Sequence, residues 1–295
     1  MAFRGIFPAH DLVPTPCGLL SAARVTDHKP SDSDERWIRG FSHEVYSDSD
    51  VQIFTVNDET VGALGVISDT PTYLRYKDYK PFFIQVTDTR SSFGLTGEDR
   101  FALVLKQLEA ATQKAVEREL WEGAAALAES NSNLFLRKSS TSTVVNAGAL
   151  APGTALMLLE QAISDSPLGL NGVIHMTRDV ASILGSKLIY IPGTETGPGR
   201  VMTRSGTAVV IGSGYTGSGR IGDSNTAASA SNKWMFATGA VDVHLGKSEV
   251  VNEDLSQGFT ASSNKNDLTI RAVRPAAVYF DPTINFTVRL ALPTT

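Results

Sequence analysis

An α+β fold is what the sequence predicts, and three observations predict it. Residues 92–130 carry the spacing of one long helix, short β-favouring runs bounded by Gly, Pro, Asn and Asp recur on both sides of it, and two further helical runs lie among the strands of the second half. The 295 residues suffice for one elaborate domain or two ordinary ones, and 42% hydrophobic with 19% charged residues marks a globular chain. A formal net charge of -5 argues against a general nucleic-acid binder with basic stripes, while an inner face that tolerates packed nucleic acid is compatible with it. Cys17 is the single cysteine, so no intramolecular disulfide can form. With no signal-peptide pattern, synthesis in a reducing cytoplasm is expected. The longer apolar runs, such as Ala208–Ile211, are far too short to span a bilayer, so no membrane contact is expected.

The long helix is the best-specified element. Thr96 is placed to cap it, with Asp99 three residues on, and Glu98 and Asp99 set negative charge against the positive end of the helix dipole. Phe101, Val104, Leu108, Ala111 and Ala115 recur at three- and four-residue steps, followed less regularly by Val116, Leu120, Ala124 and Leu127. Lys106, Glu109, Lys114, Glu117, Arg118 and Glu122 occupy the other face, which is expected to meet water or a partner. Taken as continuous from Thr96 to Ser130, the helix would be roughly 50 Å long at ~1.5 Å per residue.

Ahead of it, residues 1–48 are rich in Pro, Asp and Ser, and Pro8, Pro14, Pro16 and Pro30 interrupt every periodic pattern. Phe3, Ile6, Phe7, Trp37, Ile38 and Phe41 make this a poor free linker, so it is expected to lie extended along a surface, including that of a neighbour. Val51–Val56 and Val61–Ile67, separated by Asn57, Asp58, Glu59 and Thr60, give a hairpin signal. A polar run through Tyr73 and Lys80 then leads to an apolar strand, Phe82–Val86. A two-stranded excursion with few core-sized side chains needs something to lie on.

Beyond the helix comes a polar loop at Ser139–Thr143, then a helical segment, Thr154–Ser164, with Leu156, Leu159 and Ile163 on one face. Val173–Met176 reads as an apolar strand, and Thr177 is placed to cap a third helix, Arg178–Leu184. Leu188–Ile191 reads as strand, Pro192–Gly199 as a Gly- and Pro-rich loop, and Val201–Thr203 with Thr207–Ile211 as a hairpin turning at Arg204, Ser205 and Gly206. Trp234–Leu245, Leu268–Val273, Ala277–Phe280 and Phe286–Leu292 complete the strands.

One motif looks enzymatic. Gly212, Gly214 and Gly217 spell G-x-G-x-x-G after an apolar strand, but that pattern serves a phosphate only when a helix N-terminus follows, and Ser218–Asn225 has the composition of a loop. The motif is therefore read as a loop. His10, His28, His43, His175 and His244 are scattered and, with Cys17 alone, offer no zinc spacing. His175 lies inside an apolar strand and is read as a satisfied core residue. Asp242 and His244 alternate on one strand, but no G-x-S-x-G elbow supplies a serine nucleophile. Asn285, Phe286 and Thr287 fit a glycosylation sequon, irrelevant without secretion. No catalytic, cofactor-binding or metal-ligating residue is assigned, and no enzyme activity is expected.

The order of these parts resembles the major capsid proteins of tailed bacteriophages, the Hong Kong-ninety-seven-type fold. The resemblance is carried by 'YKPFFIQVTDTRSSFG', by the long helix ending 'ERELWEG' with Trp121 and Gly123, and by the closing 'RAVRPAAVYFDPTINFTVRLALP'. It implies an N-arm over residues 1–48, an extended E-loop over 49–80, a peripheral domain over 81–152 with a spine helix at 96–130, and an axial domain over 153–265. Residues 266–295 would return to the peripheral domain, and loops at Pro192–Ser205 and Gly212–Asn232 would approach a capsomer centre. The implied function is a structural head protein that assembles as pentamers and hexamers into an icosahedral shell around nonspecifically contacted phage DNA. Scaffolding, portal and decoration proteins are its implied partners, with assembly in the host cytoplasm. Some relatives carry a cleaved scaffolding leader; no long, charged, helical leader is present, so scaffolding would be separate or dispensable. Some also crosslink an E-loop lysine to asparagine; Lys77 and Lys80 lie near that loop but are read as solvated charges. The alternative is an encapsulin-like nanocompartment shell, for which an N-terminal amphipathic helix would be expected instead of the Pro-interrupted start seen here.

Overall fold

The structure, a computed structural model, describes residues 16–28, 35–45, 75–91, 97–166, 171–193, 199–223, 226–251 and 267–293. The start of the expected arm, the hairpin at 51–67 and the expected cap Thr96 lie outside the described residues. The described chain opens with a helical turn α1 (Leu19–Ala22) and strand β1 (Arg24–Asp27), then a 3-10 turn at Glu35–Arg39 and strand β2 (Phe41–Val45). Strands β3 (Arg75–Tyr79) and β4 (Phe82–Ser91) lead into the long helix α2 (Gly97–Glu122), which is followed by α3 (Ala124–Ala128) and β5 (Thr143–Leu150). Helix α4 (Pro152–Ser164), β6 (Val173–Met176), α5 (Arg178–Leu184), β7 (Leu188–Ile191), β8 (Arg200–Thr203) and β9 (Ala208–Ile211) come next. The chain ends on β10 (Asn232–Thr238), β11 (Val241–Leu245), β12 (Glu249–Val251), β13 (Asp267–Phe280) and β14 (Asn285–Ala291).

These strands form a seven-stranded sheet in the order β5-β14-β10-β6-β9-β8-β7 and a five-stranded sheet in which β1, β11, β13 and β12 follow one another and β4 also pairs with β13. The run from Trp234 to Leu245, read from sequence as one strand, is two: β10 belongs to the seven-stranded sheet and β11 to the five-stranded one. The chain bends between them at Gly239 and Ala240, and its antiparallel companion bends beside it. Thr238 pairs with Asn285 and Val241 with Phe280, while Gly239 donates to the Ile284 carbonyl and Asp281 to that of Ala240. One ribbon of two strands therefore threads both sheets. It also divides the closing segment, since β13 joins the five-stranded sheet and β14 the seven-stranded one. Likewise β5, which the sequence groups with the long helix, is the outer strand beside β14.

Burial follows the period of two. Ile174, Met176, Met235, Ala237 and Val288 point to one face of the larger sheet, where Leu156, Leu159 and Ile163 of α4 and Val180 and Leu184 of α5 cover them. Val173, Val210, Trp234 and Phe236 point to the other, into a core with Val104, Leu108, Val116, Leu120 and Trp121 of α2. That second core continues through Val241, Val243, Ile270, Val278 and Phe280 of the smaller sheet. This two-sided covering is why β6 is an unbroken apolar run.

Several expectations need correction. The long helix does not run to Ser130: it stops at Glu122, because Gly123 turns left-handed (φ 63°) and the chain restarts as the short α3. A side chain at Gly123 would also collide with the Phe135 ring, 2.3 Å from where its Cβ would sit. Thr177 does not cap α5 with its side chain; its hydroxyl donates to the Asp179 carboxylate, which accepts the Val180 N–H at 2.9 Å. Of the arm expected to lie along a surface, the described part packs on its own chain: Leu19 and Trp37 are buried, and β1 extends the five-stranded sheet parallel to β11.

Because the α2 core is shared by both sheets, we expect the chain to unfold as one unit. Leu120→Ala should cost about 2–5 kcal/mol, with circular dichroism and tryptophan fluorescence giving coincident denaturant transitions.

Candidate functional site

The glycine-rich loop after β9 is where the sequence most resembles a ligand site, and the structure gives its residues a different employment. Residues 215–220 are irregular, so no helix follows the glycines. What meets them is the last third of α2. Glu117, expected on the wet face of that helix, is fully buried. Its Oε2 accepts the backbone N–H of Gly214 at 2.8 Å and the Ser213 hydroxyl at 3.1 Å, while Oε1 accepts the Leu19 N–H at 2.9 Å and the Gln113 amide at 3.2 Å. Four donors thus surround one carboxylate, the pattern that lets a charged oxygen pair stay out of water. Gly214 permits it by close approach: a Cβ there would lie 2.3 Å from the Lys114 carbonyl oxygen. The loop is an anion cradle, and its anion is a side chain of the same protein.

The same stretch of helix supplies the loop's other anchors. Glu122 accepts from the Thr216 hydroxyl and pairs with Arg137, whose Nε donates to the Gly219 carbonyl at 2.7 Å. Trp121 donates its indole N–H to the Ser218 carbonyl at 3.1 Å and packs on Tyr215 and Phe236 with ring centroids 4.7 and 4.9 Å away. Glu119 folds past Gly123 to accept the Ala125 and Ala126 N–H groups, capping α3. Only Lys106, Glu109, Lys114 and Arg118 of the expected polar face are exposed. A helical period places residues on faces, but it cannot show that one charged face is covered by a loop almost a hundred residues downstream.

His175 is the satisfied core residue that the sequence suggests. Its Nδ1 contacts the Tyr215 hydroxyl at 2.8 Å and its Nε2 the Thr238 hydroxyl at 2.9 Å, and burial lowers its pKa to about 3. Burial, and secondarily the Glu117 charge, pushes the Tyr215 phenol well above its usual range. Asp242 and His244 alternate on β11 but serve separate partners: Asp242 pairs with Arg24 at 2.6 Å, and His244 meets His28 with nitrogens 2.9 Å apart. Cys17 is buried, which raises its thiol pKa. Among the described residues, no group of three or more His, Cys, Asp or Glu could hold a metal, and no helix is long and apolar enough to cross a membrane.

The exposed apolar side chains define a different kind of surface. Ile189, Tyr190 and Ile191 stand open on β7, the last strand of the larger sheet, and Phe83 on β4 is 64% exposed. Met157 and Ile183 are exposed on α4 and α5.

No protein-family profile matches the chain, and no curated protein is similar to it in sequence. Solved structures are similar to it in fold. The capsid of an empty GTA particle computed with C5 symmetry aligns over 99% of this chain and 96% of its own, with a TM-score of 0.56 and 11% identity. A chain of Gordonia phage Cozz aligns over 99% and 92% (TM-score 0.54, 11% identity), and one of Mycobacterium phage Adephagia over 99% and 96% (TM-score 0.51, 9% identity). The described residues thus form a mixed helix and sheet structure with the fold of phage capsid proteins.

Two outcomes follow from the buried polar groups. Glu117→Ala leaves the Leu19 and Gly214 N–H groups without an acceptor and should cost at least about 2 kcal/mol in denaturant unfolding. For His175, the folded pKa of about 3 lies below an unfolded value near 6.5, so the unfolded chain binds the extra proton between them. This contribution is fully present above about pH 6.5 and is lost as pH falls toward 3. The stability gap between wild type and His175→Asn should accordingly narrow from pH 7 to pH 5.

Proposed function

We propose that this chain is the major head protein of a tailed phage, a subunit whose work is to repeat. The observation that carries the reading is the end-to-end correspondence with a capsid chain, which leaves almost no part of either chain unaccounted for. The described surface supports it. Apolar side chains stand exposed on separated elements, Phe83 on β4, Tyr190 on β7 and Met157 on α4, as a subunit with several neighbours requires. The interior supports it too, since the one motif that could have held a nucleotide is filled by Glu117. The chain acts structurally and catalyses no reaction.

In this reading the helix α2 with the five-stranded sheet is the peripheral domain, and the seven-stranded sheet with α4 and α5 is the axial domain. Strands β2 and β3 form the two-stranded stem of the E-loop. Residues 16–28 root the N-arm on its own subunit through Leu19 and β1. Pentamers and hexamers close the lattice, and obligate interfaces of this sort bury ~2,000 Å² or more. Scaffolding, portal and decoration proteins, and DNA contacted without sequence preference, are the further partners. Assembly takes place in the host cytoplasm.

Purified protein should form closed particles in light scattering and electron microscopy. Monomers alone under every assembly condition, with a scaffolding protein supplied, would contradict the proposal. Replacing residues 50–70 with a short Gly/Ser linker should leave a cooperative melt, because the stem and both cores are untouched, yet abolish or weaken shells. If that variant is unfolded, the excursion belongs to its own subunit's core.

A further inference from the structure

A cavity of about 460 Å³ lies where the ribbon of two strands bends from one sheet to the other, and none of the functions assigned above uses it. Small-molecule sites have volumes of this order. Both sheets supply its walls: Val173 of β6 and Ala208 of β9 from the larger one, Val241 of β11 and Phe280 of β13 from the smaller, with Pro282 at the bend. Besides the exposed Asn171, four polar side chains line it, and two of them cancel. Arg24 donates from Nε to Asp242 Oδ1 at 2.6 Å and from Nη2 to Oδ2 at 2.8 Å, a two-pronged pair that is neutral as a whole. Asp281 and Tyr79 are not matched in this way. Asp281 Oδ1 accepts the Thr283 N–H at 2.9 Å, but among the described residues no cation pairs with this carboxylate. Tyr79 is 2% exposed, yet its hydroxyl has no hydrogen-bond partner among the described residues. Its ring packs between Phe41 and Tyr279, with centroids 5.9 and 5.3 Å away. Burial, and after it the neighbouring Tyr279 and Asp281, push its pKa up, so the phenol stays neutral within the field of Asp281.

We propose that this cavity binds a small organic ammonium ion, an alkyl- or arylalkylamine whose head meets Asp281 and the Tyr79 hydroxyl while its body lies along Val173, Val241 and Phe280. The charge of the lining selects the head. Asp242 and Asp281 against Arg24 leave one negative charge over, and a half-buried carboxylate gains most from a donor that is itself charged. An ammonium group carries three N–H donors and no acceptor, so one can serve the Asp281 carboxylate and another the Tyr79 oxygen. The hydroxyl that forgoes a partner in the free chain then gains one. An anionic head would be set against Asp281, and the cation it could turn to is already held on two prongs by Asp242. A bare metal ion wants several oxygen ligands, and among the described residues no group of three or more His, Cys, Asp or Glu offers them. The apolar walls select the body, since they are removed from water only by an apolar occupant. The inference concerns the chain itself and does not depend on the shell reading.

Calorimetry and ligand-observed NMR on the purified full chain test it with phenethylamine, charged at neutral pH, against phenethyl alcohol and hydrocinnamate, which share its body but carry a neutral or an anionic head. The amine should bind with a Kd of about 1 mM or below, the alcohol at least about tenfold more weakly, and hydrocinnamate not at all. Asp281→Asn, which keeps an acceptor for the Thr283 N–H, should lower amine affinity at least about tenfold and leave that of the alcohol unchanged. Tyr79→Phe, which removes a hydroxyl without a partner, should lower amine affinity about threefold. Both variants should melt as the wild type does. No binding of the amine, an affinity for it no greater than for either control, or an amine affinity unchanged by Asp281→Asn would overturn the proposal.

Discussion

The Glu117 carboxylate is the constraint on which the described structure turns. It sits near the end of a 26-residue helix and accepts from residue 19 on one oxygen and from residues 213 and 214 on the other. An ionised carboxylate taken out of water is costly unless its lone pairs are filled, and here the donors come from parts of the chain that are distant in sequence. The helix, the N-terminal turn and the glycine-rich loop must therefore arrive together. Trp121, Glu122 and Arg137 extend the same junction, tying the loop to the segment beyond Gly123. A loop that would be a ligand cradle in an enzyme becomes a joint.

A second constraint is the ribbon of 232–245 with 276–291 that passes through both sheets. Its bend at Gly239 and Ala240 lets one pair of strands serve two cores, so the sheets cannot separate without breaking the ladder. Where the described chain borders residues 46–74, β2 and β3 form a two-stranded sheet of their own, and nearby His28 meets His244.

Much of this was legible in the sequence for physical reasons. The four-residue strand at Val173 and the helices at 154–164 and 178–184 are visible because apolar spacing and Pro or Gly punctuation act locally. The same locality explains the failures. Glu117 reads as solvent-facing because its four donors lie elsewhere in the chain. Gly123 sits in a convincing apolar period, and only its left-handed backbone and the Phe135 ring behind it reveal the break. Trp234–Leu245 keeps its strand pattern through the bend, since period two does not say which sheet receives each half. The His28 and His244 contact joins residues 216 apart and leaves no local trace. The glycine motif was rightly read as a loop, but what it holds was beyond reach of pattern.

That a side chain of this protein, and not a ligand, fills the glycine loop is the claim on which the account of the fold rests. A double-mutant cycle tests it most directly, by measuring the cost of Ser213→Ala in denaturant unfolding with Glu117 present and with Glu117→Ala. The account predicts a cost of about 1 kcal/mol in the wild-type background that vanishes when the carboxylate is gone. The same cost in both backgrounds would show that the loop is held by something else.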